Sequence, residues 1–183
     1  FDISGHLLHT HTPYAERLVK RLLGKNISTV YRNSWIYSYG AATRYPYQAN
    51  LYGLPPKVAK DCITGFVDSI LKYGLTKKTV NAGAPGTFKS WVLETFGAGF
   101  GKHFFFPYNK KLWTVPADVL TSDWTGKFVP RPAITDVVYG AIYDIKKAHG
   151  YNVSFFYPRA GGIQALTDTF VSKVSNLSFN SPV

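Results

Sequence analysis

Methionine is absent from this sequence, and the chain opens on Phe1-Asp2-Ile3 in mid-pattern, which predicts a piece of a longer open reading frame. Cysteine occurs once, as Cys62, so no internal disulfide can form and a reducing compartment is expected. No apolar run approaches the roughly 18 residues that cross a bilayer, and no charged-then-apolar secretory leader is recognisable. These absences predict a cytoplasmic protein without a membrane partner. Carboxylates are also scarce: 10 Asp+Glu stand against 21 Lys+Arg, a formal net charge of +11. The summed field of such a chain concentrates anionic partners around it, phosphate-bearing ligands among them. Apolar and aromatic residues are plentiful, at 45% and 16% of 183 residues. That is enough for a core in one domain, or one domain with a small appendage.

Apolar spacing at Ala15, Leu18, Val19, Leu22 and Leu23 predicts a helix from Pro13 to Leu23, with Gly24 as its C-terminal stop. The β-branched and aromatic stretch from Ile27 to Tyr47, broken at Tyr39-Gly40, predicts two or three short antiparallel strands. Pro55-Pro56 opens a longer helix through Tyr73, with Val58, Cys62, Phe66 and Ile70 at three- and four-residue steps. Further helices are predicted over Phe88–Phe96, Gly99–Phe106, Thr135–His149 and Gly162–Val174, with strands at Phe155–Tyr157 and Leu177–Phe179. The expected class is α+β: a mainly helical region at about 55–150, with small-sheet segments at about 27–50 and 153–183. No βαβ alternation or Gly-x-Gly-x-x-Gly fingerprint is present, so the usual dinucleotide cradle is not expected in this chain.

Two runs imitate functional motifs. Gly97-Ala98-Gly99-Phe100-Gly101-Lys102 suggests a phosphate loop, but His103 stands where a Walker A loop requires Ser or Thr. A close approach of two packed helices is the expected use of these glycines. His6, His9 and His11 are spaced like metal ligands, yet no Cys or carboxylate cluster accompanies them, and no metal site is assigned. No nucleophile elbow marks a hydrolase.

Five separated patches carry the functional signal: Gly5-His6-Leu7-Leu8-His9-Thr10, Tyr45-Pro46-Tyr47-Gln48-Ala49-Asn50, Phe105 through Trp113, Lys127-Phe128-Val129-Pro130-Arg131, and Tyr157-Pro158-Arg159-Ala160-Gly161-Gly162. In order and spacing this set resembles the UDP-galactopyranose mutases and, more loosely, the amine-oxidase and protoporphyrinogen-oxidase-like flavoproteins. The resemblance implies that Gly5, His6 and His9 lie against a flavin, with Tyr157, Arg159 and Gly161 at the junction back to the flavin domain. It implies that Gln48 and Asn50 meet sugar hydroxyls, and that Tyr108 and Trp113 line the uridine site, where aromatic faces suit a nucleobase. Lys127 and Arg131 would neutralise the diphosphate, Lys127 as a point charge and Arg131 through its bidentate fork.

The implied parent is an FAD enzyme interconverting UDP-galactopyranose and UDP-galactofuranose for cell-surface polysaccharide biosynthesis. Its remaining segments would hold the FAD, and the chain alone would be inactive. No side chain here need act as acid or base in that scheme, so no catalytic residue is assigned. Two alternatives stay open. One is an FAD-dependent oxidation of the amine-oxidase kind. The other is a basic polyanion-binding module, suggested by +11 charge and by Tyr/Trp interleaved with Lys/Arg, although nucleic acid is the less favoured partner.

Overall fold

A computed structural model describes residues 6–74, 86–145 and 153–181. In chain order the elements begin α1 (Pro13–Leu23), β1 (Ile27–Tyr31), β2 (Trp35–Ser38), β3 (Ala41–Arg44), a 3₁₀ turn (Tyr47–Ala49), α2 (Pro56–Tyr73), α3 (Phe88–Thr95) and α4 (Gly97–Phe100). They continue with a π-turn (Gly101–Phe105), α5 (Phe106–Trp113), α6 (Thr125–Phe128), α7 (Ile134–Ile142), β4 (Ser154–Pro158) and α8 (Gln164–Val171). The class is α+β with helix predominating. The chain divides into two compact units, one formed by Phe1–Arg32 with Asn152–Val183, the other by Asn33–Tyr151.

In the first unit, α1 starts where the Thr12 hydroxyl accepts the Ala15 N–H at 3.2 Å, and Pro13 needs no donor. Glu16 in the first turn and Lys20 and Arg21 in the last complement the helix dipole. Gly24 ends it at φ +52°, a conformation open to glycine. β1 then pairs antiparallel with β4, from Ile27 opposite Pro158 to Tyr31 opposite Ser154. Leu8 bridges to Phe156 of β4, and α8 packs on α1.

In the second unit, β2 and β3 form a hairpin whose two-residue turn, Tyr39-Gly40, has φ of +53° and +75°. Positive φ at both positions matches the right-handed twist of the flanking strands. α2 buries Val58, Cys62, Phe66 and Ser69 along one face. It meets α4 through glycine: a Cβ on Gly97 would lie 1.9 Å from the Gly65 carbonyl oxygen, and one on Gly99 1.9 Å from that of Asp61. The core beside this contact is aromatic. Tyr47 stacks on Phe104 at 4.6 Å, and Phe96, Phe100 and Phe105 interlock with Phe66, Phe88 and Trp91. Each such ring contributes ~1.5–3 kcal/mol by leaving water. α7 docks through its backbone, the Gly140 carbonyl accepting both the Leu51 and Tyr52 N–H groups at 2.8 Å.

Several boundaries differ from the sequence expectation. β1 and the hairpin belong to separate two-stranded sheets, because the partner of β1 is the distant β4. The helix expected to end at Phe106 continues as α5 to Trp113, the backbone staying helical through the π-turn and past Pro107. α7 ends at Ile142, with Tyr143 extended, while 146–149 of the expected longer helix lie outside the described residues. α8 is shorter than expected, and Leu177–Phe179 is irregular chain rather than a strand, with no backbone ladder to satisfy its donors and acceptors.

Candidate functional site

The third patch forms α5 itself. Asn109 is buried and donates to the Phe105 carbonyl at 2.9 Å, which orients the helix. Tyr108 and Trp113, each about half exposed, leave it on different sides: Tyr108 stacks on Phe104 at 5.2 Å, while Trp113 lies 6.2 Å from Trp124. Lys110 and Lys111 occupy the last turn between them, and Thr114 closes the helix in the left-handed region at φ +62°. A row of rings continues inward, with Trp124 stacked on Phe88 at 5.2 Å and Phe88 on Trp91 at 5.9 Å. The Arg131 guanidinium sits 5.4 Å over the far ring, Trp91.

Arg131 therefore ends the row at whose other end Trp113 stands. It also lines a cavity of about 410 Å³ between α2, α3 and the start of α7, with Phe66, Ser69, Glu94, Phe96 and Ile134 among its walls. A shallower cavity of about 270 Å³ lies between Lys89, Pro107, Lys110 and Asp118. Lys127 belongs to α6. Gln48 and Asn50 are both buried, and their amide nitrogens donate to backbone, Gln48 to Pro130 at 2.7 Å and Asn50 to Pro46 at 3.0 Å. The Gln48 bond ties the second patch to the loop carrying Arg131.

The first and fifth patches meet in the other unit. Gly5 lies outside the described residues; His6 and His9 flank Leu8, whose N–H and C=O both pair with Phe156. The His9 ring packs edge-on to Phe155 at 5.7 Å, and loss of hydration lowers its pKa below the ordinary 6.5. Tyr157 and Arg159 shape the exit from β4: the Tyr157 carbonyl accepts from Ser28, and Arg159 Nε donates to the Ile27 carbonyl at 2.8 Å. Asn26 clamps the following turn by a reciprocal pair of bonds to Ala160 at 2.9 and 3.0 Å, and Gly161 and Gly162 supply consecutive positive φ values.

The structure adds a constellation that no sequence pattern marked. His103, buried in the π-turn, has Nδ1 2.7 Å from the Tyr39 hydroxyl and Nε2 3.1 Å from Asp61 Oδ2. The carboxylate fixes the Nε2–H tautomer, leaving Nδ1 to accept the phenolic proton. The hydrogen bond from His103 holds the Asp61 carboxyl below its ordinary value, helped by the field of Lys102 and Lys57. Next to Asp61, burial pushes the Cys62 thiol up to about 12. Among the described residues no group of His, Cys, Asp and Glu is arranged to hold a metal ion.

The paired strands of both sheets are antiparallel, and the one strand–glycine turn–helix run seen among the described residues, from β4 through Gly161 and Gly162 into α8, is followed by no parallel strand there. The βαβ frame that usually cradles the pyrophosphate of a dinucleotide is not seen among the described residues. No family model matches the chain. Among solved structures it is similar to one described as the crystal structure of reduced UDP-galactopyranose mutase, with a TM-score of 0.81 and 24% sequence identity. The match covers 95% of this chain and 35% of that one. At that identity the likeness is one of fold: nearly the whole chain follows the path of about a third of that protein.

Proposed function

We propose that this chain is the substrate-binding portion of a flavoprotein similar to the UDP-galactopyranose mutases and takes a UDP-sugar or a related anionic small molecule. The observation that carries this reading is the half-exposed Trp113 indole at the cationic end of α5, in a chain whose fold follows that of such a mutase. The indole offers a face to uracil, and Lys127 and Arg131 offer charge to the diphosphate. Gln48 and Asn50, each with an amide N–H held by a backbone carbonyl, fix the wall of the site through Pro130 and Pro46. FAD belongs to the remaining segments of the parent chain, near the edge formed by His6 and His9 and the turn at Tyr157, Arg159 and Gly161. No chemical step is assigned to a side chain of this portion.

Titrating the chain with UDP while following tryptophan fluorescence tests the proposal, with pyrophosphate as the control. Saturable quenching by UDP alone is expected, and Trp113→Phe abolishes it. Base stacking on an aromatic is worth ~1–3 kcal/mol, so Trp113→Ala weakens UDP binding roughly 5- to 150-fold. An equal response to pyrophosphate, or quenching unchanged in the Trp113 variants, sinks the reading.

A further inference from the structure

We propose that Tyr39, His103 and Asp61 form a separate reactive site in which the Tyr39 oxygen accepts an acyl group from an activated ester. The geometry is that of a nucleophile, its base and the group orienting the base: 2.7 Å from the Tyr39 hydroxyl to His103 Nδ1, then 3.1 Å from Nε2 to Asp61. Tyr39 sits at the tip of a tight hairpin and is 52% exposed, whereas His103 is 8% exposed. The tyrosine is thus open to solvent as a residue while its base is shielded, and the hydrogen bond between them is partly buried. Three local features converge on this placement. Tyr39 adopts φ +53°, His103 lies in a π-turn, and Gly97 and Gly99 let α4 press against the Asp61–Gly65 stretch of α2.

In the step itself the Tyr39 oxygen forms a bond to the ester carbonyl carbon while its proton passes to His103 Nδ1. The carbon–oxygen bond to the leaving group breaks, and that group takes the proton from the imidazolium. Asp61 is a positioning residue, holding the imidazole tautomer and balancing the transient charge. Lys57 on α2, the helix that carries Asp61, and Lys102 in the π-turn that carries His103 add positive charge here, which favours an ester with an anionic tail.

The test is to treat the 183-residue chain with p-nitrophenyl acetate and map acetylated tyrosines by mass spectrometry against time. Tyr39 is expected to react at least tenfold faster than Tyr37 and Tyr14, which are 79% and 69% exposed. H103Q and D61N each lower the Tyr39 rate at least tenfold, and D61E restores most of it. His103 lies in the core, so if H103Q does not fold, the D61N and D61E pair at the partly exposed Asp61 decides. Labelling of Tyr39 no faster than of Tyr37, or a rate unchanged in D61N, overturns the proposal and leaves the three residues as a clamp on the hairpin.

Discussion

Gly99→Ala places a methyl group where the fold has no room for one. Its Cβ would stand 1.9 Å from the Asp61 carbonyl oxygen and 2.7 Å from the Cys62 Cα, roughly 1.5 Å short of van der Waals contact with the nearer atom. Both neighbours are backbone within the long helix α2, so relief requires α4 to move as a body. Moving α4 lifts Phe100, which is fully buried against Tyr47, Phe66 and Phe96, and draws the His103 turn away from Asp61. Overpacking of this kind costs about 3 kcal/mol, at the upper end of the usual range. For a chain of this size that lowers Tm by roughly 6–12 °C. Gly126→Ala is the control, since nothing lies within 4 Å of its added Cβ and it sits in α6, where Ala is worth up to ~1 kcal/mol over Gly. Urea unfolding followed by tryptophan fluorescence is the assay. All four tryptophans lie between 33 and 151, so the signal reports the helical unit alone. A Gly99→Ala midpoint equal to wild type would refute the account of α2–α4 contact as the fixed point of this unit.

Asp61 titrates below its ordinary 3.8 in the folded chain, so its stabilising contribution is present above that value and is lost as pH falls through the folded pKa. Wild type is therefore expected to melt above Asp61→Asn at neutral pH, with the gap closing in scanning calorimetry as the pH is taken below the ordinary carboxyl value and through the lower folded one. Cys62, with its thiol pushed up to about 12, carries a thiolate fraction of about one in ten thousand at pH 8. Ellman's reagent is expected to modify it only once denaturant opens the core; modification of the native chain at the rate of an exposed thiol would contradict its burial. Asn26→Ala removes both bonds to Ala160 and should cost the unit that contains β1 and β4 ~1–2 kcal/mol. The check is faster amide hydrogen exchange at Ala160, with tryptophan fluorescence unchanged because no tryptophan lies in that unit.

Local rules carried the sequence reading where a residue's conformation is decided by its neighbours along the chain. α1 and α2 were legible because Thr12, Gly24, Pro56 and Gly74 punctuate them in ways that a cap or a missing donor explains. The limits of α5 were obscured because Pro107 stands immediately after the expected end at Phe106, while the backbone stays helical through the π-turn and past that proline to Trp113. The pairing of β1 with β4 lay beyond any periodicity argument, since Val30 and Phe155 are 125 positions apart and both strands are too short to declare a partner.

The same distinction applies to the candidate sites. The resemblance assigned Tyr108 and Trp113 to the uridine and Lys127 and Arg131 to the diphosphate, and the fold sets Arg131 and Trp113 at opposite ends of a row of rings. Aromatics chosen for stacking a base and aromatics chosen for filling a core look alike in sequence. The Tyr39–His103–Asp61 contact was hidden because its members are 42 and 64 positions apart, and His103 had weight only as the residue that spoils a phosphate loop. Its trace is nonetheless present. Gly97 and Gly99 lack side chains where the Gly65 and Asp61 carbonyls need space, so two closely spaced glycines in the short helix α4 signal a backbone contact with a neighbouring helix. A titratable residue directly beside such a contact, as both Asp61 and His103 are, is held by backbone on a rigid element. Its side chain then has little freedom to escape a partner across the gap, and this gives the glycine pattern predictive use beyond packing.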